Sequence, residues 1–396
     1  MTKTREFGGE IDLSRRAFLL GCAIALWGAP EGRAQSPAQE NEGQALNLPA
    51  NTWVARKAPR FPGSIGAASK HVRLTYDPDR RVVYAYGGDY CVATGCSGHR
   101  ELWSYDVALN KWTLLVDNET SKTRGYPTGR CLAAMAYDSK RKVLWMTGGE
   151  DVYGDEGRTL IKGSLWSFNP DTRTWARRGP ANYQSARKAG SPQLEYMIYD
   201  ALSDRLFLPA DNNLVGFFSL KQADGEARIV DAWSFRRIEA NDPSLGKISF
   251  ALDTKRNRAI LYLPKRNETW SYNLATHRMS FLSRQALPAK SVFGMVYDSV
   301  NDVVVYFGGY TDYEGSPNVK ALNQTWVLNL EKNEWRRLEV TGSIPPPRKG
   351  ETLTFDSHNN VLVQMGGTGG WQNGVDKAGY DGSEVFLLRL NLKGGS

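Results

Sequence analysis

Four stretches of this chain can be laid over one another without a gap. They are "LTYDPDRRVVYAYGG" ending at Gly88, "MAYDSKRKVLWMTGG" ending at Gly149, "MVYDSVNDVVVYFGG" ending at Gly309 and "LTFDSHNNVLVQMGG" ending at Gly367. In each, an apolar run closes on an aspartate (Asp77, Asp138, Asp298 or Asp356), and the first glycine of a pair follows ten residues later. Two further copies keep the aspartate and lose the glycines: "MIYDALSDRLFLPA" around Asp200 and "FALDTKRNRAILYLP" around Asp253. That makes six units. A unit this short cannot cover its own apolar face, so its neighbours must do so, and the repeat dictates the architecture.

Each unit continues in the same way. After a variable loop comes a strand-like run with an aromatic, then another with a tryptophan. The pairs Trp103 and Trp112, Trp166 and Trp175, and Trp326 and Trp335 are each nine residues apart, and Trp270 is followed at that distance by Met279. Short runs of period-two alternation joined by polar turns read as strands of an antiparallel meander. Six meanders around one axis form a β-propeller. The 12 Trp and 18 Tyr suit such sheets. The glycine pairs, the tryptophan spacing and the repeat length resemble kelch repeats over roughly residues 51–392. The expected fold is therefore all-β: a six-bladed β-propeller of four-stranded antiparallel kelch blades.

The glycine pairs could instead cradle a phosphate. They lack the Lys-Ser/Thr and the helix that a phosphate loop needs, so they read as strand ends where backbones pass closely. The sixth unit reaches only its third strand, "EVFLLRL" at residues 384–390. At the other end of the chain "NTWVARKAP", residues 51–59, is a fourth strand without a unit, carrying Trp53. Residues 51–58 are expected to complete the last sheet, because a free sheet edge is an aggregation hazard.

Before this domain, Arg15 and Arg16 precede an apolar run from Ala17 to Ala29, with small residues at Gly32 and Ala34. The arrangement resembles the twin-arginine export signal of bacteria, and the run is too short to span a bilayer. The expected organisation is an export signal over 1–34, a flexible polar segment over 35–47 and the propeller over 48–392. The protein is then periplasmic or secreted, with no membrane span.

A meander sorts its loops by end. Strand-one-to-two and three-to-four turns lie together and are short, and their Asp and Asn residues cap turns locally. Two-to-three and inter-unit connections share the other end and are long, which is where a rigid scaffold usually carries function. They hold Tyr153, Tyr310 and Trp371, flat faces on which a sugar ring can stack. A basic residue also precedes each first strand: Lys70 (followed by His71), Arg130, Lys188, Lys247, Lys290 and Arg348, with Lys349 beside the last. A ring would bring these together at the channel mouth, where focused positive charge attracts anions. The chain has 50 basic and 42 acidic residues, an excess that permits an anionic partner without requiring one.

The ligand expected on these grounds is an acidic carbohydrate or another anion, bound at the loop-rich mouth. Two alternatives stay open. One is a cofactor-independent epimerase or lyase acting on an acidic sugar, with Glu195, Glu351 or His71 as acid or base. The other is a platform for acidic segments of a periplasmic protein. Nucleic acid is not an expected partner. Kelch relatives include the copper-radical galactose oxidase, whose copper site uses two His and two Tyr, one Tyr directly before a His. No Tyr-His pair occurs here, and the four His are isolated in sequence, so neither a metal nor a cofactor is expected. Cys91 and Cys96 share one loop and are expected to form a disulfide in an oxidising compartment; Cys131 could compete for either partner.

Overall fold

The computed structural model describes residues 46–392, apart from 59–70, 93–94, 152–158, 161–163, 181–195, 211–213, 224–225, 230–233, 238–248, 265, 291–293, 313–319, 349–351, 368–370, 373–374 and 377–383. Six sheets, antiparallel apart from one short edge strand, follow the six repeat units, and the first strand of each unit lies innermost. The innermost strands are Arg73–Asp77, Ala134–Asp138, Ile198–Asp200, Ser249–Asp253, Gly294–Asp298 and Thr352–Asp356. All six line one central channel of about 620 Å³, and Arg73–Asp77 adjoins both the second blade and the sixth. The fold is a six-bladed β-propeller, as the repeat requires.

The aspartate that ends each innermost strand organises the turn behind it. Asp77 accepts the backbone N–H groups of Asp79 and Arg80 on one carboxylate oxygen, at 2.9 and 3.0 Å. Asp138, Asp298 and Asp356 each accept the corresponding pair in the same way. The other oxygen is satisfied by the side chain three residues on: Arg80, Arg141, Ser203, Arg256, Asn301 or Asn359. The fourth residue after the aspartate has a left-handed backbone in every blade, with φ between 48° and 57° at Arg81, Lys142, Asp204, Asn257, Asp302 and Asn360. These carboxylates are buried because their hydrogen bonds are complete, which is the condition for burying them at all.

Where the outer strand carries a tryptophan, that side chain fastens its blade to the one before, as in the second and fifth blades. Trp335 donates its indole N–H to Thr269 of the preceding blade at 2.8 Å and meets Tyr262 edge-on. Trp175 meets Tyr86 of the first blade in the same manner. Three half-buried tryptophans of the third strands donate instead to an acid or amide two residues earlier: Trp103 to Glu101, Trp270 to Glu268 and Trp326 to Gln324.

The ring closes with strands from both ends of the chain. Thr52–Lys57 pairs antiparallel with Glu384–Leu388, from Trp53 opposite Leu388 to Lys57 opposite Glu384. Asn51 exchanges two hydrogen bonds of 3.0 Å with the backbone of Asn391. Thr341–Gly342 adds a short parallel strand outside Thr52–Trp53. The third blade departs from the pattern. Its third strand, Leu214–Ala223, is ten residues long, pairs first with Ser234–Arg237 and then runs on into a hairpin with Glu226–Ile229. Among the described residues, no helix is long and apolar enough to cross a membrane.

Candidate functional site

The two ends of the ring differ as the connections imply. At the turn end, arginines bind neighbouring blades: Arg141 reaches Asp204 of the third blade, and Arg256 reaches Asp302 of the fifth. At the other end the two-to-three connections rise as small hairpins: Asp89–Val92 with Gly95–Gly98, Glu150–Asp151 with Thr159–Leu160, and Trp371–Gln372 with Val375–Asp376. The hairpin of the sixth blade lies against that of the first. Trp371 is thereby carried into the loop-rich end.

Arg130 and Arg348 occupy equivalent positions and make equivalent bonds. Arg130 is 2 % exposed; its guanidinium donates to the carbonyls of Thr128 (3.0 Å) and Gly148 (3.1 Å) and to the Thr128 hydroxyl (3.1 Å). Arg348 donates to the carbonyls of Pro346 (3.1 Å) and Gly366 (2.9 Å) and lies over the Phe386 ring. In both, one guanidinium bridges the carbonyl two residues before it and the first glycine of its own blade's pair. Both arginines therefore serve inside their blades, not as open charges at the mouth. A guanidinium has several fixed donors and can make such a fork; a lysine ammonium does not reproduce it. Lys290, at the same place in the fifth blade, reaches the Asn267 side chain at 3.3 Å instead.

Tyr310 is buried, and its carbonyl accepts the Lys290 N–H. Lys70, Lys188, Lys247, Lys349 and Tyr153 lie outside the described residues, as do Glu195 and Glu351. In the first hairpin Cys91 stands directly opposite Cys96. The pair is one step from the two-residue turn, the non-hydrogen-bonded register in which Cα atoms come to about 4.5 Å, inside the disulfide range.

The channel itself supplies groups that the repeat alignment did not single out. Arg73 opens the first innermost strand at the loop-rich end. Its Nε donates to the Ala133 carbonyl at 2.8 Å, and its guanidinium carbon lies 4.9 Å from the centre of the Tyr196 ring. Toward the turn end the lining carries Thr75, Thr354 and the tyrosines Tyr76, Tyr137, Tyr199 and Tyr297, of which Tyr137, Tyr199 and Tyr297 donate their hydroxyls to Asp79, Asp204 and Asp302. Among the described lining residues Arg73 is the sole formal cation and Asp200 the sole carboxylate, and Asp200 is buried beneath its turn. The size fits a small-molecule site, and aromatic faces with a few hydroxyls suit a sugar.

A second cluster lies beside the mouth. His71 Nδ1 and Asp89 Oδ1 are 2.8 Å apart, and both side chains are less than a tenth exposed. The Cys131 side chain joins them, with one donor atom from each residue within 4.8 Å of the others.

No family model matches the chain. Part of the sequence is 40% identical over 97 residues to the Adagio-like protein 3 of rice (Oryza sativa subsp. japonica), covering 24% of this chain and 13% of that protein. Another part is 30% identical over 74 residues to the dynein regulatory complex subunit 7 of Chlamydomonas reinhardtii, covering 19% of this chain and 6% of that protein. The chain thus spans well under a fifth of either relative. Similarity to solved structures extends much further along the chain. YjhT superposes with a TM-score of 0.53 at 14% identity, over 85% of this chain and 97% of its own. A Bacteroides thetaiotaomicron protein of unknown function gives 0.50 at 11% identity, over 85% and 75%. At such identities the likeness is one of fold alone, and the site has to be read from its own residues.

Proposed function

We propose that this protein is an exported kelch-type propeller that binds an acidic carbohydrate at the loop-rich end of its channel. One observation carries the reading: an arginine laid on a tyrosine, Arg73 on Tyr196, heads a channel rich in aromatics and hydroxyls whose single lining carboxylate is turned into the wall. The guanidinium offers charge and directed hydrogen bonds to a sugar carboxylate at the mouth, and the tyrosines, deeper in the channel toward the turn end, offer stacking surface to a ring that reaches them. The reading gives the cationic role to Arg73, which lines the channel while its Nε holds the Ala133 carbonyl; Arg130 and Arg348 bind carbonyls within their own blades.

Calorimetry with uronic and sialic acids, each beside its neutral counterpart, tests the reading. The acidic sugars should bind, the neutral ones should bind at least tenfold more weakly, and Arg73→Gln should remove the difference. Equal affinity for charged and neutral sugars, or an Arg73→Gln protein with unchanged preference, defeats it. Proton NMR of any complex separates a binder from an enzyme, because only turnover brings new anomeric or unsaturated signals. Export is tested by N-terminal sequencing of the protein from a bacterial periplasm, with mature chain expected to begin at Gln35.

A further inference from the structure

We propose that His71, Asp89 and Cys131 form a binding site for a zinc-class divalent cation at the junction of the first and second blades. The three side chains offer a nitrogen, an oxygen and a sulfur whose donor atoms converge within 4.8 Å. This is the mixed donor set that Zn²⁺ accepts, and three protein ligands leave a position for water or an incoming group. The site uses different groups from the carbohydrate reading, since neither Arg73 nor Tyr196 is among its donors.

The backbone holds the three donors in place before any ion arrives. Leu132 N–H donates to the His71 carbonyl, tying the Cys131 segment to the His71 segment, and Gly88 N–H donates to the Arg130 carbonyl at 3.0 Å, tying in the segment of Asp89. Two glycines make this approach possible. A Cβ on Gly87 would lie 2.3 Å from the Arg130 carbonyl oxygen, and one on Gly149 would lie 2.6 Å from that of Cys131. The segment carrying Cys131 is thus threaded between the glycine pairs of two successive blades. His71 and Leu132 both have left-handed backbones, at φ of 59° and 56°. For a leucine this is an unusual conformation, of the kind found where surrounding structure enforces a local arrangement. Cys131 is present as a thiol and is 2 % exposed. Its burial favours a ligand held by neighbours over a group awaiting a bulky substrate. The proposal commits to the ion as occupant and treats a nucleophilic thiol as its rival.

The mature chain, stripped with a chelator and returned to metal-free buffer, should be titrated with Co²⁺ and then competed with Zn²⁺. One equivalent of Co²⁺ should bind with a thiolate-to-cobalt charge-transfer band, and Zn²⁺ should abolish that band. Cys131→Ser and Cys131→Ala should both lose the band while keeping the circular dichroism and melting temperature of the metal-free wild type. Asp89→Asn and His71→Gln should weaken binding at least tenfold. The double variant Cys91→Ser, Cys96→Ser should keep the band. The inference fails if wild type shows no band, if the band survives loss of Cys131, or if it vanishes with Cys91 and Cys96. It also fails if the metal-free thiol is alkylated rapidly by iodoacetamide and added Zn²⁺ gives no protection.

Discussion

Arg256 and Asp302 join the fourth and fifth blades by a two-pronged contact. Two guanidinium nitrogens meet the two carboxylate oxygens, each at 2.8 Å. The Tyr297 hydroxyl and the Lys255 ammonium complete the carboxylate's partners. Arg256 also reaches the buried Asp253 of its own turn, so one side chain finishes a turn and fastens a neighbour. The equivalent Arg141 does the same between Asp138 and Asp204.

The bond from Arg256 holds the Asp302 carboxyl well below the ordinary carboxylate range. A carboxyl whose folded-state value is depressed contributes stability above its unfolded value of about 3.9, and that contribution is lost as pH falls toward the folded value. Asp302→Asn should therefore cost about 1–3 kcal/mol at neutral pH, the worth of hydrogen bonds to a charged group. Urea denaturation of wild type and variant at pH 7 and pH 3 measures this. The gap should narrow at the lower pH; a gap that stays constant or widens there means the pair contributes nothing through its charge.

Arg348 and Arg130 make a different kind of prediction. Replacing either by Glu sets a buried carboxylate against backbone carbonyls, so charge reversal acts on folding before it acts on any ligand. Arg348→Gln should cost about 2–4 kcal/mol, from one or two buried carbonyls left without donors. Arg348→Lys should recover only part of that, because one ammonium cannot copy the fork. The urea midpoint is the readout, and equal midpoints for Lys and wild type would remove the argument for the fork.

This arginine marks where the sequence stops being legible. The aspartate repeat and the unmatched strand at residues 51–58 were readable because both follow from local pattern and from the need to close a sheet. A basic residue ahead of each first strand looked like a ring of open charge. One-letter code does not show that the carbonyl of Gly148 or Gly366, eighteen residues on, lies within reach of that side chain. The third unit, like the fourth, lacks the glycine pair. Nothing local revealed that Leu214–Ala223 would run on into an extra hairpin. The His71, Asp89 and Cys131 cluster escaped for a simpler reason. Its members lie on three separate segments, and no ligand spacing along the chain joins them.

The hairpin of Asp89–Val92 with Gly95–Gly98 gives a redox prediction. With Cys91 opposite Cys96 in a non-hydrogen-bonded pair, a bond between them needs little backbone movement. Protein from an oxidising compartment should carry a Cys91–Cys96 linkage in peptide mass spectrometry, with Cys131 alkylated as a single thiol after denaturation. A linkage from Cys131 to either partner overturns the pairing. It would also withdraw the sulfur from the cation site.

Trp53 carries the closure. It is 1 % exposed, meets Phe307 edge-on at 5.1 Å, and its indole N–H donates to Thr325 at 3.3 Å, both in the fifth blade. The residue that pairs the chain's two ends is thus also the one that seats the closing strand on the next sheet. Trp53→Ala removes a large buried ring at a seam with no covalent continuity, and should cost about 3–5 kcal/mol. Thr325→Val, which removes only the hydrogen-bond acceptor, should cost about 1 kcal/mol. Deleting residues 47–59 exposes the edge of Glu384–Leu388 and should give insoluble or much less stable protein. By urea midpoint or recovery of soluble material, Thr325→Val should stand highest, Trp53→Ala lower and the deletion lowest. A Trp53→Ala midpoint no lower than that of Thr325→Val would mean that the ring is held shut elsewhere, by the remaining pairing of Val54–Lys57 along the last sheet.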